Sequence, residues 1–253
     1  MDPITLVGLG LAAGAAGAVN AVAGGGTLIS FPSLLAAGFP SKVANVTSTV
    51  AIWPGTVGGS VAYRRELRQR VRRVLLLAAP SVAGAAVGSV LLLATSQRAF
   101  DAVVPYLILF ASALLALNTR LATFAARHGL GARSDDHLPA GLFAAQFLIG
   151  IYGGYFGAGI GILTLACIGI LAPDDMQHAN AVKGMLALLI NFVALVVFAA
   201  FGPVQWLPAA VMAGCAVVGG YAGVALARRL NARVLRSVIV VWGLIQGVIL
   251  LLR

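Results

Sequence analysis

The stretch AGGGT, residues 23–27, interrupts an apolar run near the start of the chain, and FGAGI, residues 156–160, interrupts another beyond its middle. Glycine is the poorest helix former after proline, so clustered glycines predict a local break in a helix. Within a bilayer such a break is tolerated only where protein buries it or where it lines a polar cavity. Paired breaks in the two halves of a chain are typical of a transporter's binding site.

The composition around the two breaks is that of a membrane protein. The 253 residues are 60% hydrophobic and only 9% charged, with a mean hydropathy of +1.00. These values exclude an ordinary soluble domain. The net charge of +10 comes mainly from arginines in short loops, which indicates membrane orientation rather than nucleic-acid binding. We therefore expect an all-α polytopic protein in a lipid bilayer, without a nucleic-acid partner.

The hydrophobic pattern predicts ten apolar elements, five in each half, and each half runs long, short, long, long, long. They cover about residues 4–22, 28–37, 43–63, 74–95 and 100–119, and then about 138–156, 160–171, 176–201, 206–227 and 234–252. The short elements cannot cross a bilayer alone, because a crossing takes about 20 residues. Each short element is therefore expected to form a glycine-broken hairpin with the element before it.

The two halves also resemble each other locally. The aligned positions are residues 24–26 with 157–159, Pro40 with Pro173 and, after a two-residue insertion, Ala44-Asn45 with Ala179-Asn180. Because each half has an odd number of elements, the second half would enter the membrane from the opposite side. We expect an inverted-topology repeat, with residues 1–130 forming one transmembrane repeat and residues 131–253 the other.

The basic residues test this topology independently. If the N-terminus lies outside and each hairpin returns to its side of origin, Lys42, Arg98 and Arg253 lie outside, and Lys183 is assigned to neither side. Thirteen of the 17 basic residues then lie inside, namely Arg64, Arg65, Arg68, Arg70, Arg72, Arg73, Arg120, Arg127, Arg133, Arg228, Arg229, Arg233 and Arg236. This bias follows the positive-inside rule. It predicts a multi-pass protein of the bacterial inner (plasma) membrane with both termini in the periplasm.

Candidate binding residues gather at the breaks and on the element after each hairpin. Glycine backbone lets a substrate approach closely, and the free N–H groups at the start of the next helix favour an anion. On that element, polar side chains share a helical face through i, i+3 spacing. The predicted substrate-binding residues are Gly24, Gly25, Gly26, Thr27, Asn45, Ser48, Thr49, Gly157, Gly159, Asn180 and Lys183. The alternative is that the glycines and small polar residues only pack helices, as Gly84 and Gly88 would.

Lys183 is the strongest single signal, because a charge within an apolar helix is a functional hypothesis by default. The alternative is that its side chain snorkels to the inner interface. All seven acidic residues fall in loops or at helix ends, whereas proton pumps and cation carriers usually place a carboxylate in the membrane. A positive, donor-rich centre favours an anionic substrate. No catalytic residues, metal site or cofactor are expected, because no histidine has an evident serine partner and neither cysteine has metal-site spacing.

Two stretches carry a resemblance to a known family: NAVAGGGTLISFPSLLAAGFPSKVANVTSTVA, residues 20–51, and GGYFGAGIGILTLACIGILAPDDMQHANAVKGML, residues 153–186. Their glycine-rich segment, proline and Ala-Asn, once per half, resemble the TauE/SafE sulfite exporter family. The resemblance covers nearly the whole chain. It implies a carrier of small sulfur-containing or carboxylated anions, such as sulfite, sulfoacetate and other sulfonates. The family's motif positions correspond here to Gly24, Gly25, Gly26, Asn45, Gly157, Gly159 and Asn180, and the halves depart from repeat symmetry at Ser48 and Lys183.

The sequence therefore predicts a secondary transporter, acting as an exporter of such anions by alternating access. Two alternatives stay open: an anion channel of the same fold and, with less support, an intramembrane enzyme. A homodimer, the coupling ion and the direction of transport are also open at this point, as is whether segments 28–37 and 160–171 cross the membrane completely.

Overall fold

The computed structural model describes residues 1–22, 25–62, 64–128, 138–172, 174–227 and 232–252, and every regular element in these ranges is an α-helix. The helices are α1 Pro3–Val22, α2 Thr27–Ala36, α3 Ser41–Ala62, α4 Arg64–Gln69, α5 Val71–Ala94, α6 Gln97–His128, α7 Ala140–Tyr155, α8 Ile160–Leu171, α9 Met176–Phe201, α10 Trp206–Ala227 and α11 Ala232–Leu251. The prediction of an all-α polytopic protein is confirmed. Among the predicted site residues, Gly24 lies outside the described ranges, as does the aligned Pro173.

The apolar pattern located all ten predicted elements, and α8, α9 and α10 have the expected bounds. Two differences occur where the sequence is charged. The arginine-rich helix α4 was not predicted, because it carries no apolar face that the hydrophobic pattern could reveal. Helix α6 continues past Thr119 to His128, because alanine, leucine and arginine favour helix in water as well as in lipid.

The long helices present an apolar exterior. Within the described residues, four segments are long and apolar enough to cross a membrane, namely Pro3–Asn20, Val71–Ala94, Gln97–Arg120 and Gln177–Phe201. Large apolar side chains point outward from them, such as Leu75 on α5 and Val196 on α9. Exposed apolar surface of this extent is unfavourable in water and favourable in hydrocarbon. The structure thus agrees with the expected bilayer environment.

The two ends of helix α5 contact the residues that follow the two hairpins, at the start of α3 and just before α9. At its C-terminal end, the ammonium of Lys42 donates to the carbonyl oxygens of Leu93 and Thr95, at 2.6 and 2.8 Å. At its N-terminal end, Arg70 donates two hydrogen bonds to Asp174, at 2.6 and 2.7 Å. Because α5 has 24 residues, these contacts lie about 36 Å apart. Helices α3 and α9 therefore begin at opposite ends of α5.

The closest helix packing joins the first half of the chain to the second. Helix α1 packs mainly on α10, and α5 packs mainly on α7. Glycines permit both approaches: a Cβ added at Gly219 would lie 1.9 Å from the Gly14 carbonyl oxygen, and one at Gly88 would lie 2.0 Å from that of Ile151. By element order, α1 with α10 corresponds to α7 with α5. The main helix contacts are therefore equivalent when the two halves are interchanged.

Candidate functional site

The first break is held by a side chain of the helix before it. Asn20 accepts a hydrogen bond from the backbone N–H of Gly26 at 2.8 Å. A Cβ added at Gly26 would lie 2.4 Å from the carbonyl oxygen of Ala16, so no other residue fits there without a shift of the backbone. Thr27 then begins α2 and is buried. The sequence analysis missed Asn20, although it lies one turn before the glycines.

The second break depends on glycine for a different reason. Gly157 and Gly159 have φ angles of +82° and +80°, in the left-handed region that only glycine enters without strain. The hydroxyl of Tyr152 donates to the Ala158 carbonyl oxygen at 2.7 Å and fixes the loop between the two glycines. Helix α8 follows directly, and its N-cap residue, Gly159, makes no side-chain capping bond within the described residues.

The structure brings the two breaks together at the middle of α6. A Cβ added at Gly25 would lie 3.2 Å from Leu115, and one at Gly159 would lie 3.5 Å from Leu114. The rings of Phe31 and Phe156 also pack edge to face, with their centroids 5.6 Å apart. Residues that are far apart in sequence thus line one region of the protein.

Asn45 connects the first half to the second break. Its Nδ2 donates to the carbonyl oxygen of Tyr155 at 3.1 Å, and the side chain is fully buried. Its Oδ1 is also buried and has no hydrogen-bond partner within the described protein. Because only the nitrogen can donate, this bond fixes the orientation of the amide. The atom that Asn45 leaves free is therefore an acceptor.

The hydroxyl groups near Asn45 are hydrogen-bonded to one another or to the backbone. The Oγ atoms of Ser48 and Ser30 lie 2.7 Å apart between α3 and α2. The hydroxyl of Thr49 donates to the Asn45 carbonyl oxygen at 3.0 Å. A direct substrate contact by Ser48 or Thr49 stays a prediction, since each hydroxyl already has a protein partner.

Lys183 lies against the first turn of α8. A Cβ added at Gly161 would lie 3.5 Å from Lys183 Cδ, and the ammonium donates to Asn180 Oδ1 at 3.2 Å. Asn180 and Lys183, both predicted site residues, are thus in contact. Asn191 extends the same face of α9, because its Oδ1 would lie 3.4 Å from a Cβ at Gly157. Asn191 was not among the predicted site residues, although it lies only about two turns along α9 from Lys183.

The acidic residues nearest to this face in sequence are engaged at the end of the helix. Asp174 accepts from Arg70 and, at 3.1 Å, from Arg73, whose side chain is only 1% exposed. Burial alone would raise the pKa of Asp174, but the hydrogen bond from Arg70 and the charges of Arg73 and Arg70 outweigh it and hold the pKa below its ordinary value. Asp175 caps α9 and contacts His178. Within the described residues, Lys183 has no carboxylate partner.

Asp174, Asp175 and His178 form the one cluster in the described part of the chain with the ligand types of a metal site. The guanidinium groups of Arg70 and Arg73 already occupy the Asp174 carboxylate. We therefore interpret the cluster as an ion-pair network that anchors the α8–α9 connection. The sequence analysis missed these ion pairs, because it read the arginines only as a loop charge.

Two further buried polar residues also escaped the sequence analysis. Gln146 on α7 and Thr164 on α8 are fully buried, and none of their side-chain polar atoms has a partner within the described protein. A lone glutamine and a lone threonine in apolar runs give no sequence signal that separates a ligand contact from ordinary packing. Unpaired buried polar atoms of this kind are costly, at about 1–3 kcal/mol each.

The family model described as "Sulfite exporter TauE/SafE" matches residues 9–250. The chain belongs to this family. The TauE/SafE chain is 26% identical over 227 residues to a "Probable membrane transporter protein" of Haemophilus influenzae, covering 88% of this chain and 85% of the relative. It is 27% identical over 235 residues to "Probable membrane transporter protein ORF9" of Sinorhizobium sp, covering 91% and 86%.

A third relative of the TauE/SafE chain is "Probable membrane transporter protein YfcA" of Escherichia coli K12, which is 24% identical over 245 residues, covering 95% of this chain and 87% of the relative. No solved structure gives a significant match. The family and these relatives carry the names of membrane transporters and not of enzymes. This TauE/SafE protein is therefore assigned to the membrane transporters.

Proposed function

We propose that this protein is a secondary transporter that exports small sulfur-containing anions, such as sulfoacetate, other sulfonates or sulfite, by alternating access. The observation that carries the proposal is the ammonium of Lys183 beside the first turn of α8, without a carboxylate partner in the described protein. A charge within an apolar helix needs a partner, because burying it alone is costly. A sulfonate or sulfite anion would supply that partner.

The start of α8 adds donors for the same anion. Helix N-termini carry free N–H groups and a partial positive charge, and both favour anions. At α9, the side chain of Asp175 accepts from the N–H groups of Gln177 and His178. At α8, the N-cap residue is Gly159, and no such bond is present in the described part of the chain. The uncapped N-terminus therefore lies beside the ammonium that the proposal assigns to the anion.

The packing supports two halves that move against each other. Helices α3 and α9 start at opposite ends of α5, and equivalent partners are exchanged between the halves. Both observations agree with an inverted-topology repeat of residues 1–130 and 131–253, in which one half rocks against the other. We extend the proposal to the bacterial inner membrane with both termini in the periplasm, as the positive-inside rule predicts.

Counterflow in proteoliposomes tests the proposal. Vesicles preloaded with unlabelled sulfoacetate, taurine or sulfite should accumulate the labelled compound transiently, and the initial rate should saturate. An accelerated flux that does not saturate would support a channel instead, and a chemically altered substrate would support an enzyme. The absence of any accelerated flux for all three compounds would refute this substrate class.

Substitution of Lys183 tests whether its ammonium binds the anion. Lys183→Gln should weaken substrate binding roughly tenfold or more, since a contact to a charged group is worth about 1.5–3 kcal/mol, and Lys183→Arg should retain part of the affinity. The matched control is Lys42→Gln, because Lys42 is the other lysine of the chain and its ammonium bonds the carbonyl oxygens at the end of α5. Calorimetric titration decides: an unaltered dissociation constant for Lys183→Gln would mean that Lys183 does not bind the anion.

A further inference from the structure

Asn45 and Asn180 occupy the same position in the two halves. Each is the fifth residue of its helix, since α3 begins at Ser41 and α9 begins at Met176. Each is preceded by alanine, and each helix follows a glycine-broken hairpin. The residue three positions later differs: it is Lys183 in the second half and Ser48 in the first.

The amide oxygens at these two positions have opposite surroundings. In the second half, Asn180 Oδ1 accepts from the ammonium of Lys183 at 3.2 Å. In the first half, Asn45 Oδ1 is buried without any partner in the described protein, and the bond from its Nδ2 to Tyr155 fixes the orientation of the amide. Buried amide oxygens are normally satisfied, so an orphaned one calls for an explanation.

We propose that the first half binds a sodium ion at Asn45 Oδ1, in the role that the tethered ammonium of Lys183 fills in the second half. This inference rests on the proposed transport function and deepens it, because it names the coupling cation. The ion would bind beside the second break, to which Asn45 is joined through Tyr155. Backbone carbonyls at broken helices supply sodium ligands in other transporter folds.

The chemistry of the ligands selects a monovalent metal ion. The helices that contribute to this region, α2, α3 and α7, contain no aspartate or glutamate. Neutral oxygens alone do not offset the burial of a divalent charge. A proton is also a poor occupant, because the amide of Asn45 does not titrate and accepts hydrogen bonds only. The paired hydroxyls of Ser48 and Ser30, one helical turn along α3, offer further neutral oxygens.

Thermal unfolding of the purified protein without any anionic substrate tests the inference. The melting temperature should rise saturably with NaCl but not with choline chloride at equal ionic strength. Asn45→Leu should abolish this rise. Asn45→Asp should lower the half-saturating NaCl concentration by about tenfold, because an ionised ligand strengthens a contact to a cation. The control is Gln69→Leu, which removes an amide of α4 that contacts His178, just before the N-terminal end of α5, and should keep the full NaCl response.

A second variant keeps the test decisive if Asn45→Leu does not fold. Ser48→Lys places an ammonium three residues after Asn45, as in the second half, and should give a stability that is independent of NaCl. The inference is overturned if the parent protein responds equally to NaCl and choline chloride, or if either Asn45→Leu or Ser48→Lys keeps the NaCl response. Sodium binding without anion counterflow would refute only the proposed substrates. Anion counterflow without any sodium effect would refute only this inference.

Discussion

Among isosteric changes in the residues just before α9, Asp174→Asn should destabilise the protein the most. The carboxylate accepts two bonds from Arg70, at 2.6 and 2.7 Å, and one from Arg73 at 3.1 Å. Removing the charge takes away the ionic contact that Asp174 makes with the guanidinium of Arg73, whose side chain is only 1% exposed. Breaking a buried ion pair costs about 3–5 kcal/mol. Because Arg70 is partly exposed and its share is screened, we expect the lower end, about 3 kcal/mol.

The assay is equilibrium unfolding in detergent micelles, followed by circular dichroism. The matched control is Asp175→Asn, which should lower the free energy of unfolding by clearly less than Asp174→Asn does, since asparagine caps a helix N-terminus as well as aspartate does and the exposed contact to His178 contributes little. A double-mutant cycle with Arg73→Gln isolates the pair and should show a coupling energy above about 1 kcal/mol. A loss no larger for Asp174→Asn than for Asp175→Asn would refute the reasoning.

The same carboxylate predicts a pH dependence with a definite sign. Its pKa in the folded protein lies below the ordinary value, so the folded state binds a proton less readily than the unfolded state. The stabilisation is complete above the unfolded-state pKa, about 3.9, and is lost as the pH falls through the lower pKa of the folded state. Unfolding followed between neutral and acidic pH should show this loss, and Asp174→Asn should remove its contribution.

The remaining predictions concern transport, topology and an unpaired amide. Asn45→Ala and Asn180→Ala should each reduce transport with near-normal membrane expression, and two variants that transport like the parent would place the site elsewhere. In a cysteine-free background, Arg98→Cys should react with an impermeant thiol reagent in intact cells and Arg68→Cys should not; the reverse would refute the topology. Gln146→Leu should raise the unfolding free energy by about 1–3 kcal/mol, because it removes unpaired buried polar atoms, and a loss of that size in thermal unfolding would show that the amide is satisfied.

The sequence was sufficient to predict the apolar helices and insufficient to predict their contacts. Helix bounds follow from local hydrophobic pattern and glycine breaks, so α8, α9 and α10 could be predicted closely. The bond from Asn45 to Tyr155 joins residues 110 positions apart, and no local pattern encodes such a pairing. The ion pair of Arg73 with Asp174 was missed for the same reason, since both residues read as loop charges until packing brought them together.

The candidate site could likewise be predicted only in part. Glycine, asparagine and lysine in apolar runs are conspicuous, so Gly26, Asn45 and Lys183 could be proposed from the sequence. Which atom each presents depends on the partners that tertiary packing supplies. Only the structure shows that the nitrogen of Asn45 is already used, whereas its oxygen is free.

The contacts at the two ends of α5 have a mechanical consequence. An α-helix is stiff along its axis, so α5 acts as a strut about 36 Å long between the hairpin connection at Lys42 and the one at Asp174. A movement of α5 along its axis that lengthens the contact at one end would shorten the contact at the other end. We expect a substitution at Asp174 to change the solvent accessibility of Lys42, at the opposite end of α5. If the protein works by the proposed alternating access, its two openings would then be unable to open independently.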